Sequence, residues 1–269
     1  MTMRLHVRHA THFEYASSLD YAVQRFLLTP LSFESQRVES WKIAAPGMDK
    51  ALVYTDGFGN VVHLASFVNH SGALDVVAEG VVECKDAQGL VKGIPEKAPR
   101  AIYLRQTAAT APSAAISKLA VAHSSGDTLS FLHALLKQIH QRVEYRLGTT
   151  DAHTTAAEAF AKGSGVCQDH THIFIGITRA LKFPSRYVTG YLVTGIGASS
   201  TAAHAWAEVW VADLGWVGFD AANCICPTDQ YVRVAAGIDA ADVTPIRGSR
   251  RGGISETMSV EVKVEIAQQ

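Results

Sequence analysis

HAWAEVWVADLGWVGFDA, residues 204–221, reads as two strands around a turn at Asp213-Leu214-Gly215, and its register decides which side chains meet. A turn centred on residue 212 sets His204 opposite Asp220. A turn centred on 213 sets His204 opposite Ala222 and leaves Asp220 diagonal to it. Both registers put imidazole and carboxylate on one face, with opposite Cβ atoms roughly 4.5–5.5 Å apart and diagonal ones about 7–8 Å or less. A carboxylate at that range fixes the tautomer of His204 and stabilises its charged form. Trp206 and Trp210 share that face and are expected to wall a pocket, while Trp216 serves the core.

Upstream lies GSGVCQDHTH, residues 163–172, a glycine turn into a helix expected from about Cys167 to Leu181 and stopped before Pro184. A cysteine attacks as its thiolate, which unpaired amides at a helix N-terminus favour. The Cys167 amide is also a candidate donor to an oxyanion, with Tyr145, in VEY, as a candidate second donor. His170, three residues after Cys167, rivals His204 as base but has no evident orienter, and His172 is expected to make a structural hydrogen bond. Asp169 and Arg186 bind substrate or pair with each other. A zinc set of Cys167, His170, His172, Cys224 and Cys226 has neither ligand pair at the usual spacing, so no metal and no cofactor are expected.

Around this centre the chain changes character twice. The first hundred residues carry strand-like stretches, RLHVRH, YAVQRFLLTP, VESWKIAAP, ALVYT, NVVHLASFV and LDVVAEGVVEC, with turns at DGFGN and NHSG. That pattern suits an all-β sandwich over 1–100. Prolines and small residues mark a linker at 101–114. Helices follow in LSFLHALLKQIHQRVEY, capped by Asp127 or Thr128, and in TAAEAFAKG, ended by Gly163; strands return with SRYVTGYLV and the hairpin. The second domain is thus α+β over 115–235. The remainder, 236–269, holds a loop-like RGSRRGG at 247–253 and an alternating terminal strand, SVEVKVEI, with one wet face.

Composition narrows the classes. With 24 basic and 25 acidic side chains, no field favours a polyanion, so nucleic acid and anionic membrane are not expected partners. No apolar run approaches the length of a membrane span, and the N-terminus lacks an apolar signal core, so the expected location is cytoplasmic. Four cysteines in 269 residues are too few for a disulfide framework, and free thiols are the default.

GVCQDHTHIF, RYVTGY and HAWAEVWVADLGWVGFDAAN together resemble the transglutaminase-like superfamily, in particular its bacterial cysteine-protease group. The resemblance extends to YAVQRFLLTP and DGFGN, which look like the all-β N-terminal domain of that group, and to AAGIDAADVTPIRG near the C-terminus. It implies a papain-like catalytic domain, helices packed on an antiparallel sheet, with Cys167 as nucleophile, His204 as general base then acid, and Asp220 as orienter. The implied reaction is hydrolysis of a peptide or protein amide through an acyl-enzyme, with transfer to an amine as the alternative and a non-catalytic binding or scaffold module as the other class; self-association into a homo-oligomer is left open. Ala221-Ala222-Asn223 stands where the family usually continues with proline, and His170 where it usually has a bulky apolar residue.

Overall fold

The computed structural model describes residues 2–70, 72–121, 127–193, 199–200 and 203–267. Six strands come first: β1 (Thr2–Tyr15), β2 (Leu19–Thr29), β3 (Gln36–Ala44), β4 (Leu52–Thr55), β5 (Val61–His70) and β6 (Leu74–Lys85). Alternation of buried and more exposed residues is clearest in β1, β2 and β6; in β6, Leu74, Val76, Ala78, Val82 and Cys84 point inward. Next come β7 (Leu90–Val91), α1 (Ala114–Val121), α2 (Thr128–Arg142), β8 (Glu144–Tyr145), α3 (Ala156–Lys162), β9 (Ser164–Gly165) and α4 (Cys167–Ala180). The chain ends with β10 (Ser185–Leu192), β11 (Ser199–Ser200), β12 (His204–Val211), β13 (Gly215–Phe219), β14 (Tyr231–Gly237), β15 (Ile246–Gly252) and β16 (Glu256–Ile266).

Two sheets form the sandwich, ordered β11-β16-β1-β6-β3 and β15-β2-β5-β4. Both take strands from the C-terminal end of the chain. The alternating β16 lies antiparallel to β1 and buries Val262 and Val264. RGSRRGG is strand rather than loop: β15 pairs with β2 from Ile246–Phe26 to Gly252–Leu19. Gly248 permits this, because a Cβ there would collide with the Val23 carbonyl.

The third sheet, β14-β10-β12-β13-β7, carries the second, α+β domain. Helix α4 packs on β12 and β10, and its residues Asp169–Arg179 are buried. Ala205, Ala207 and Val209 of β12 share the main core with Phe174 and Ile177 of α4. Trp206, on the opposite face of β12, joins Val188, Tyr231 and Ala236 instead. The supporting helices end as expected. The Asp127 side chain accepts from the Ser130 amide, and α3 has a Thr155–Glu158 capping box and stops at Gly163 with φ 72°.

The stretch 101–114, expected as a linker, is packed into the body. Arg179 of α4 is 1% exposed and donates to the carbonyls of Tyr103, Arg105, Ser185 and Ile238. One guanidinium thereby ties that stretch to α4, to the start of β10 and to the segment after β14. A second buried cluster lies on the face of β12 opposite α4, where Glu208 accepts from Arg186 at 2.5 Å and from Arg233 at 2.9 Å. Arg186 also stacks on Trp216 at 4.1 Å rather than pairing with Asp169.

Candidate active site

Cys167 is the first residue of α4, and the turn before it is built by its own helix. The Asp169 carboxylate reaches back to accept the Val166 amide at 2.7 Å and the Thr150 hydroxyl at 2.6 Å. Gly165 makes room for that carboxylate, since a Cβ there would sit 2.6 Å from Asp169 Oδ2. Asp169 is 1% exposed, so it holds the turn instead of lining a substrate pocket. As N1 of the helix, the Cys167 amide has no intrahelical acceptor and points with the first turn toward the space before the helix.

The hairpin adopts the register centred on 213, with Ala207 opposite Phe219 and Val209 opposite Val217. Asp220 is therefore diagonal to His204, and Nε2 of His204 lies 2.7 Å from Asp220 Oδ2. Cys167 is a further hydrogen-bond partner of the same imidazole. Burial alone would lower the pKa of His204, but the hydrogen bonds to Asp220 and Cys167 outweigh it and raise it from 6.5 to about 10. Burial pushes Asp220 up, and its partners pull it below the ordinary carboxylate value. Those partners are numerous. Oδ2 also accepts from Asn223 Nδ2 and from the Tyr231 hydroxyl, each at 2.7 Å, and Oδ1 accepts the amides of Ala222 and Asn223.

Both ring nitrogens of His170 face backbone carbonyls. It is fully buried, with Nδ1 2.9 Å from the Val166 carbonyl and Nε2 2.9 Å from the Val143 carbonyl. The ring braces the end of α2 against the cysteine turn. His172 is held neutral by burial, at a pKa of about 4, and accepts the Ala240 amide. The proposed zinc ligands do not assemble: among the described residues no three of His, Cys, Asp and Glu converge as a metal set.

Tyr145 stands beside the turn because β8 and β9 form a short parallel ladder that sets it opposite Gly165. At 49% exposure it faces solvent, and burial, followed by the nearby Cys167 and Asp220, raises its phenol pKa. Trp206 differs from expectation. It is 2% exposed and packs behind His204, edge-on to Tyr231 with ring centres 5.5 Å apart, so it keeps water from the His204–Asp220 pair instead of walling an open pocket. Gly190, opposite His204 on β10, provides the space for the Trp206 ring. No sequence pattern singles out Tyr231, whereas the Asp220-x-x-Asn223 spacing is that of a turn closing on its own carboxylate.

A cysteine at a helix start beside a buried imidazole–carboxylate pair, on a sheet of α+β type, is the arrangement that the resemblance to the transglutaminase-like superfamily implies. The sequence comparisons agree: residues 117–221 match the transglutaminase-like superfamily and residues 5–83 match the bacterial transglutaminase-like N-terminal region. The chain carries a transglutaminase-like core behind that N-terminal region. An uncharacterised protein of Mycobacterium leprae (strain TN) is 27% identical, over 97% of this chain and 98% of its own. One of Mycobacterium tuberculosis (strain ATCC 25618 / H37Rv) is 26% identical, over 98% and 93%. The crystal structure of a "Putative Cysteine Protease" from Cytophaga hutchinsonii superposes with a TM-score of 0.79, covering 100% of this chain and 92% of that one at 20% identity, a likeness of fold.

Proposed function

We propose that the protein is a cysteine-dependent amide hydrolase. The observation that carries this reading is His204, bonded to Asp220 at 2.7 Å and to Cys167, with its pKa at about 10. At neutral pH such an imidazole is protonated, and the helix N-terminus favours the thiolate beside it. The Cys167 thiolate attacks the amide carbon and its oxygen becomes an oxyanion facing the Cys167 amide, with the Tyr145 hydroxyl as second donor. The imidazolium gives its proton to the leaving nitrogen, the C–N bond breaks and a thioester remains. Water then attacks the thioester as His204 takes its proton, the acid departs and the thiolate–imidazolium pair is restored.

Iodoacetamide labelling across pH, read by mass spectrometry, tests this. Burial raises Cys84 to about 12 and Cys226 to about 11, so neither competes as a thiolate at neutral pH. Cys167 is expected to label selectively below pH 7, and at least tenfold more slowly in His204→Ala, the effect of about 1.4 kcal/mol lost from the pair. Equal, sluggish labelling of all four cysteines would sink the reading. A peptide library incubated with and without a primary amine then separates hydrolysis, the expected outcome, from acyl transfer.

A further inference from the structure

Tyr231, which donates to Asp220, is the first residue of β14, the outer strand of the catalytic sheet. The free edge of that strand is closed by two side chains of the sandwich. Gln36 of β3, 2% exposed, accepts the Arg233 amide at 2.7 Å and donates to the Arg233 carbonyl at 2.9 Å. Asn60 does the same for Ala236, with both bonds at 2.8 Å. Each primary amide thus replaces one rung of a missing neighbouring strand. Gln36 acts two residues from Tyr231, and its third bond, to the Leu31 carbonyl at 2.8 Å, anchors it in its own domain.

We propose that the sandwich sets the geometry of the Asp220–His204 pair through Gln36, β14 and Tyr231, with Tyr231 as a positioning residue. The inference rests on the triad reading above. Oδ2 of Asp220 serves His204, Asn223 and Tyr231 together, so the phenol both holds the oxygen in place and draws electron density from the bond to His204. Burial, then the Asp220 charge, raises the phenol pKa and keeps it a donor. Trp206 packs against the Tyr231 ring, and a small cavity lined by Gln36, Trp206, Tyr231 and Arg233 lies between the domains. Tyr231 therefore has somewhere to withdraw when Gln36 no longer pins the strand.

The test reads the far-downfield proton of the His204–Asp220 hydrogen bond by NMR of the full chain at neutral pH, assigned by its loss in His204→Gln. Tyr231→Phe leaves Asp220 its other four donors, so Oδ2 becomes a stronger acceptor and the resonance is expected to move downfield. Gln36→Met is expected to move it in the same direction, and the double variant no further than the larger single shift. Asn60→Leu, which releases Ala236 instead, is expected to lower the melting temperature and leave the resonance in place. Should Gln36→Met fail to fold, Gln36→Glu, which keeps the acceptor for the Arg233 amide, carries the same comparison. An unmoved resonance in either single variant, an additive double variant, or an equal shift in Asn60→Leu overturns the proposal. A wild-type protein with no such resonance counts instead against the triad itself.

Discussion

His204 is where two opposing effects meet, burial against hydrogen bonding, and the second prevails. Its folded pKa of about 10 lies above the ordinary 6.5, so its contribution to stability is complete below about 6.5 and disappears as pH rises through about 10. Asp220 has the opposite sign: its depressed pKa stabilises the fold above the ordinary carboxylate value and is lost as acid protonates it. The urea midpoint of the wild type is therefore expected to exceed that of His204→Gln most clearly near pH 6, with the gap closing towards pH 10; a constant gap would mean that packing alone is being read. The pairing of His204 with Asp220 was legible from sequence because a hairpin's turn fixes its register. Tyr231 was not, since it reaches Asp220 from eleven residues along, across a loop with no periodicity. Nor were the duties of Asp169 and His170 within the backbone, because a buried polar side chain that satisfies a turn looks, in sequence, like one that greets a substrate.

Among the elements, the β9–α4 turn concentrates the most chemistry in the fewest residues. Gly165 is required by packing: the carboxylate that caps α4 occupies the place of its Cβ. Gly165→Ala is expected to cost about 1–3 kcal/mol, the usual range for overpacking, and to displace the Cys167 amide and thiol from His204. Iodoacetamide rates at neutral pH and denaturant midpoints check both halves; a variant destabilised yet labelled at the wild-type rate would show that the helix start tolerates the shift. The helices and central strands were readable because long apolar periodicities leave little freedom. β15 was hidden by its composition. Its glycine at 248 answers to the close approach of β2, and of its exposed arginines Arg250 pairs with Glu256 and Arg251 with Asp20. Glycine and arginine together read as a loop unless the neighbouring strand is known.

At the scale of the whole molecule, the sandwich is closed by strands from late in the chain, so β1 pairs with β16 and β2 with β15 across most of the sequence, as in Leu5–Ile266 and Phe26–Ile246. Truncation after Pro245 would remove β15 and β16, uncover the edges of β2 and β1 at once, and take away the inward Val262 and Val264. Burying each such side chain is worth about 1.5–3 kcal/mol, and two bare edges invite pairing with other chains. The damage should not stop at the sandwich. Leu5 and Val7 of β1 belong to the same core cluster as Phe174 and Ala207, and His9 of β1 meets the Tyr191 hydroxyl of β10 at 3.0 Å. The truncated chain is expected to be largely insoluble, and any soluble fraction to lose near-ultraviolet circular dichroism together with selective labelling of Cys167. A soluble truncated protein that still labels at Cys167 alone would make the sandwich an appendage, and the active site would then owe its geometry only to α4 and the hairpin.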